Sequence, residues 1–242
     1  MIRVHRPALS AGLRARLAPL TDDIDASREP VKHSRALWKR AAVRRTVHAP
    51  LRALLEGMAP GYQRCMYCGD SQGTDIDHWE PLSLNPLRTF DWLNHLLACS
   101  LCNSNLKRDR FPRADDGTPL LVDPSVEDPF DHLLLTPTLG VYRPLTAKGE
   151  ATIEVCGLNR PILTAGRQQA RRVVLLCLDL WARGGPEERR TAVLTVRGQP
   201  FADVCQAMLR LARAPGADRV FADSPDALDL LRDEGLRSAL LA

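Results

Sequence analysis

The sequence predicts an α+β fold, with a small cysteine-stapled core flanked by helical N- and C-terminal regions. Three observations carry this prediction. Two C-x-x-C pairs, Cys65/Cys68 and Cys99/Cys102, stand about thirty residues apart in a segment rich in turn residues and aromatics. Upstream of them the chain is basic, with apolar residues at loosely helical spacing. Downstream, past a proline-rich passage, apolar runs of helical character return. The three stretches divide at residues 1–60, 61–116 and 117–242.

Composition bounds the function class. Of 242 residues, 45% are hydrophobic and 26% charged, the profile of a soluble globular protein, which excludes extended disorder and fibrous repeats. No window approaches the roughly 18 uninterrupted apolar residues of a membrane span. Residues 1–7 lack the apolar stretch of an export signal, so the expected location is cytoplasmic, with no membrane partner. The net charge is only +4, yet lysine occurs just at Lys32, Lys39, Lys107 and Lys148. Arginine therefore carries the positive charge, in the form suited to bidentate phosphate contacts. Seven cysteines, an odd number without an export signal, argue against a disulfide framework. Cys156, Cys177 and Cys205 stand singly among apolar residues and read as buried small hydrophobes.

Residues 28–52 hold eight lysines or arginines against one acid, Glu29, with apolar positions at Leu37, Ala41, Ala42, Leu51, Leu54 and Leu55. That is the pattern of helices with a solvated charged face, or of an electrostatic patch for nucleic acid. From Pro112 to Pro144 six prolines mark a loop-rich, extended passage. Thr152-Ile153-Glu154-Val155 alternates like a short strand closed by Gly157. Helices are expected over residues 162–183, 201–213 and 225–241, the last capped by Ser224.

The chemistry concentrates between the cysteine pairs. Two C-x-x-C knuckles are the ligand set of a tetrahedral thiolate site, most simply structural Zn²⁺. An iron centre shares those ligands, whereas a redox dithiol needs only one pair. Asp77-His78 couples a carboxylate to an imidazole just ahead of Pro81, and Asn103 follows the last cysteine. A helix over residues 104–110, ending before Pro112, would put Asn103, Lys107 and Arg110 on one face. Carboxylate, amide oxygen, imidazole and two cations together make a minimal site for a hard divalent ion and a phosphodiester. Mg²⁺ takes oxygen ligands and keeps most of its waters, an imidazole can accept a proton from water near neutral pH, and the cations would hold the backbone without reading sequence. Taken singly, Asp77 and His78 read as a turn aspartate and a partly buried histidine. Set between two knuckles, with Asn94 and Asn103 in register, they read as a site. His95 is assigned to packing or capping, Trp79 and Trp92 to covering the core, and Glu80 to a solvated turn.

This segment resembles the ββα-metal, or HNH, nuclease family in its zinc-stabilised form. The resemblance implies that His78 is the general base and Asp77 a ligand of the catalytic Mg²⁺ or Mn²⁺. It implies too that Asn94 braces the loop and Asn103 is the second metal ligand, with Cys65, Cys68, Cys99 and Cys102 on structural zinc. It places residues 62–68 and 76–81 in a β-hairpin region and residues 99–110 in the helix. The family's lysine commonly follows the last ligand by three positions, whereas Lys107 follows Asn103 by four, which leaves Asn105 as a rival ligand. Asn103 is preferred because Asn105 lies about 200° away at helical pitch. More widely, Leu120-Leu121-Val122-Asp123-Pro124, Lys148-Gly149-Glu150 and Gly157-Leu158-Asn159-Arg160 are similar to the HNH nuclease subunit of Septu-type anti-phage defence systems, which acts beside an ATPase. The implied activity is metal-dependent hydrolysis of DNA, leaving 5′-phosphate and 3′-hydroxyl ends, with Lys107 and Arg110 on the nucleic acid. The rival readings are a catalytically silent zinc module that binds nucleic acid or protein, and an HNH nuclease acting on RNA.

Overall fold

A computed structural model describes residues 1–241. Ser10 opens helix α1 (Ala11–Asp25) by accepting the Leu13 amide at 3.2 Å. Helix α2 (Pro30–Lys39) begins on a proline, whose missing N–H is one that a first turn leaves unused. Helix α3 (Ala41–Val43) passes through a π-helical turn (Arg44–His48) into α4 (Ala49–Met58). These helices bury Leu37, Val47, Leu51 and Leu55, whereas Ala41 and Ala42, expected on the same face, are exposed.

Strands β1 (Asp75–His78) and β2 (His95–Ala98) pair antiparallel, Asp75 opposite Ala98 and His78 opposite His95. Two 3-10 turns, Pro86–Phe90 and Trp92–Asn94, connect them, and a π-helical turn (Leu101–Lys107) follows β2. A second antiparallel hairpin joins β3 (Leu133–Thr136) to β4 (Val141–Pro144). The remainder is helical: α5 (Ala147–Val155), α6 (Pro161–Arg183), α7 (Pro186–Gly198), α8 (Ala202–Leu211), α9 (Ala217–Val220), α10 (Pro225–Arg232) and α11 (Glu234–Leu241). Among the described residues no helix is long and apolar enough to cross a membrane.

One buried apolar cluster draws on all three stretches of the chain, from Met1 to Leu236. Cys156, Cys177 and Cys205 lie inside it, as their apolar neighbours imply. Two long-range ties fix the middle segment. Arg6 donates to the carbonyls of Trp92 (2.7 Å) and His95 (2.9 Å), clamping the entry to β2. The Phe201 amide donates to the Gly69 carbonyl at 2.8 Å, seating the first cysteine knuckle against the start of α8.

Several local expectations are corrected. Residues 152–155 are the last turn of α5 rather than a strand. The Thr146 hydroxyl caps that helix through the Gly149 amide, and Thr152 and Val155 share its buried face. Residues 62–68 hold only the start of a hairpin: Arg64 bridges antiparallel to Gln72, with the Cys65 amide on the Ser71 carbonyl and the Gly73 amide on the Gln63 carbonyl. The knuckle then curls, with the Gly69 amide on the Cys65 carbonyl, and the named strands β1 and β2 pair with each other. The helix expected over residues 104–110 begins and ends earlier, at Leu101–Lys107. The passage around the prolines holds the β3–β4 hairpin, and α7 stands where no helix was expected. The single helix expected over residues 225–241 is two, because Asp233 turns the chain and caps α11 through the Leu236 amide at 2.8 Å. Ser224 precedes α10 without a side-chain capping bond.

Candidate active site and metal centre

The four sulfur atoms of Cys65, Cys68, Cys99 and Cys102 lie within 4.8 Å of one another, all buried and none in a disulfide. Cys68 and Cys99 approach to 3.9 Å. A tetrahedron with metal–sulfur bonds of about 2.3 Å has edges of about 3.8 Å, so the cluster can hold a metal ion and its size suits zinc. The knuckles are backed by local amides: Cys102 N–H points to Cys99 Sγ, and Asn103 N–H donates to the Cys99 carbonyl.

Strand alternation then sorts the acid–imidazole couple. Asp75 and Asp77 face the π-helical turn, where Asn103 Nδ2 donates to Asp75 Oδ2 (3.1 Å) and Lys107 Nζ to Asp77 Oδ1 (3.2 Å). His78 turns to the other face, its ring 4.5 Å from Trp38 of α2 and 5.1 Å from His95. The Thr89 carbonyl sits opposite both imidazoles, at 3.0 Å from His78 Nε2 and 2.9 Å from His95 Nε2. A carbonyl only accepts, so each Nε2 carries its proton and each neutral ring keeps its lone pair on Nδ1. Burial holds His78 down to about 4, so the imidazole is neutral at physiological pH.

Asn94 braces this arrangement. It is buried, accepts from the Glu80 amide (2.8 Å) and donates to the carbonyls of Glu80 (2.9 Å) and Arg88 (3.1 Å). One side chain thus closes the loop that carries Thr89. Asn94→Ala leaves buried loop groups unpaired and should cost about 2–3 kcal/mol, read as a lower midpoint in urea denaturation with zinc content unchanged.

Three sequence-based assignments change. Lys107 is fully buried, with Nζ on Asp77 Oδ1 and on the His78 carbonyl (2.6 Å), so it organises the strand instead of reaching outward to phosphate. Arg110 lies beyond the helical turn and pairs with Glu154, so it does not share a face with Asn103. Glu80 is not a solvated turn residue; it is buried and ion-paired with Arg88 (3.0 Å) and Arg113 (2.5 Å). The π-helical turn also accommodates the lysine spacing. Its hydrogen bonds span five residues, as from the Arg108 amide to the Asn103 carbonyl, so a turn holds one residue more than in an α-helix.

Asn103 lines two clefts at once. The smaller, about 290 Å³, is walled by Asp77, His78, Pro81, Ser104, Arg108 and Asp109. The larger, about 590 Å³, is walled by Trp38, Arg44, His48, Arg52 and Asp75 among others. Asn105 donates instead to the Ser100 carbonyl and lines neither. No protein-family model matches this chain, and no curated protein matches it.

The donor set suits a hard divalent ion by type. Asn103 Oδ1 makes no hydrogen bond, and Asp77 keeps lone pairs beyond the bonds it accepts from Tyr67 (2.6 Å) and Lys107. Residues the sequence reading left without a role complete the surroundings: Tyr67 on Asp77, Thr89 under both imidazoles, Trp38 and His48 on the wall, and Asp75 beside Asn103. Asp75 alone had a usable signal, since it stands two residues before Asp77 on the same strand face.

His48, its ring 3.9 Å from that of Trp38 and tilted by 38°, is also held down to about 4, first by burial and then by the charge of Arg44. Between about pH 6.5 and about 4 the unfolded chain binds protons at His48 and His78 that the folded one does not. This contribution is fully present above that window and is lost as pH falls through it. Melting temperatures across the window should fall accordingly, and His48→Gln should flatten the slope.

Proposed function

We propose that this protein is a metal-dependent endonuclease of the HNH type, hydrolysing DNA phosphodiester bonds around a structural zinc centre. The observation that carries the reading is the neutral His78, fixed through Nε2 by Thr89, in a cleft shared with Asp77 and Asn103. His78 Nδ1 takes a proton from water as the water oxygen attacks phosphorus. The bond from phosphorus to the leaving oxygen breaks, and that oxygen picks up a proton from solvent. Asp77 and Asn103 Oδ1 would hold Mg²⁺ or Mn²⁺, which when bound supplies positive charge to the phosphate and the departing oxygen. Thr89 keeps the imidazole in the competent tautomer, and Asn94 keeps Thr89 in place. Zinc on the four cysteines holds the frame.

The wider resemblance extends the proposal to an effector of a bacterial anti-phage defence system, working in the cytoplasm beside an ATPase partner. One observation favours the rival silent zinc module: both Asp77 oxygens already accept hydrogen bonds, one of them from an ammonium. Cleavage of supercoiled plasmid separates the two. Wild type with Mg²⁺ or Mn²⁺ should cut, whereas EDTA or His78→Ala should stop it. Binding without cutting under every metal condition, on DNA and on RNA, would support the silent module.

A further inference from the structure

Many arginines are spent on acids, among them Arg171 on Asp223, Arg183 on Asp179, Arg210 on Asp128 and Arg213 on Glu234. Others are exposed without an acid partner, such as Arg14, Arg143 and Arg190 on the outer helices and hairpin, and two of this kind stand in the cleft walls. Lys39, Arg40, Arg44, Arg45 and Arg108 are all exposed. Among the described residues, their side chains make no ion pair with an acid and donate no hydrogen bond. Arg44 stands in the wall of the larger cleft and Arg108 in the wall of the smaller, with Asn103 common to both. Arg52, also on the wall, is already held by Glu56 Oε1 (2.8 Å) and the Thr74 carbonyl (2.6 Å).

Arg108 carries a second mark. Its backbone has φ 50° and ψ −123°, a conformation that side chains with a Cβ rarely adopt. Glycine would take it without strain, yet the position holds an unpaired arginine at the mouth of the cleft that contains Asp77 and His78. Strain of this kind persists where the surrounding structure enforces it, commonly at binding sites.

We propose that the two clefts form one track for the sugar-phosphate backbone of a DNA strand, with Arg44 and Arg108 holding phosphates on either side of Asn103. Lys39 and Arg40 follow Trp38 in the chain and Arg45 follows Arg44, so further exposed positive charge adjoins the wall of the larger cleft. The contacts are to phosphate and carry no base sequence. The direction of the track across the site rests on the nuclease reading, whereas the binding surface does not.

The test is fluorescence anisotropy of a labelled 20-base-pair DNA duplex with the full chain carrying His78→Ala, so that binding is read apart from cleavage. Arg44→Glu and Arg108→Glu should each weaken binding about tenfold at low salt and reduce the salt dependence by about one phosphate contact. Arg190→Glu, an exposed unpaired position on α7, should leave affinity unchanged. Arg108→Gly should raise the melting temperature while weakening binding, a combination that a purely structural arginine would not give. Affinity within twofold of the parent for both reversals, or equal weakening by Arg190→Glu, overturns the track. Arginine-dependent binding by a wild type that never cuts removes the nuclease reading and leaves the track standing; cutting with affinity untouched by the reversals does the opposite.

Discussion

Cys99→Ser should unfold the middle of the protein. The segment around the knuckles has two four-residue strands and short 3-10 and π-helical turns, too little regular structure to hold four polar sulfurs together unaided. Structural zinc contributes about 10–16 kcal/mol in small metal-folded domains, comparable with the about 5–15 kcal/mol that a whole protein retains. Serine removes one sulfur from a cluster whose members are all buried, and three sulfurs would hold a metal ion weakly or not at all. The damage also spreads, because Met66 and Tyr67 belong to the common core and Gly69 is bonded to Phe201. A loss of several kcal/mol corresponds to a fall of about 10–20 °C in melting temperature for a chain of this size. Zinc content by elemental analysis and melting by circular dichroism would be read together. A variant with full zinc and an unchanged melting temperature would contradict a structural role for the cluster.

The second large effect is on activity. On the proposed nuclease mechanism, His78→Ala should lower plasmid cleavage by about 10²–10⁴, the range for loss of a positioned general base, with the cysteine cluster intact. The burial of this side chain adds a cost in stability. Removing the ring takes one bond from the Thr89 carbonyl and leaves a void against Trp38, for a cost of about 1–3 kcal/mol. His95 provides the control. It bonds the same carbonyl and is equally buried, but lines neither cleft. His95→Ala should therefore lose similar stability while keeping most of its cleavage. If both alanine variants lost activity in proportion to their stability, His78 would be a packing residue and the proposed proton transfer would fail.

How much of this was legible in the sequence depends on how local each signal is. The cysteine pairs declare themselves through spacing, and α6, α8 and α10 through apolar period, whereas α7 went unread. Lys107 was misread because a buried ammonium is intelligible only once Asp77 and the His78 carbonyl are in place, and strand pairing brings those together from a distance. The π-helical turn hid for a related reason. Its five-residue hydrogen bonds have no residue signature, so Leu101–Lys107 read as an ordinary helix and Arg110 was carried onto the wrong face. The alternation in residues 152–155 was real, but the cap at Thr146 outweighs it by starting a helix at Ala147, ahead of the alternating run. Arg108 escaped notice because nothing in a sequence announces a positive φ at an arginine.

The bond between Phe201 and Gly69 has a consequence for how the protein is made. The four cysteines, Asp77, His78, Asn94 and Asn103 lie between positions 65 and 103, so all of them leave the ribosome while α8 is still unwritten. At about 5–20 residues per second, that interval lasts several seconds. During it the first knuckle lacks the backing that Phe201 gives it, and the core lacks the helices that complete it. The backing of the first knuckle is therefore complete only once α8 has joined it. A chain broken off before α8 would carry both cysteine pairs and the acid–imidazole couple without that support.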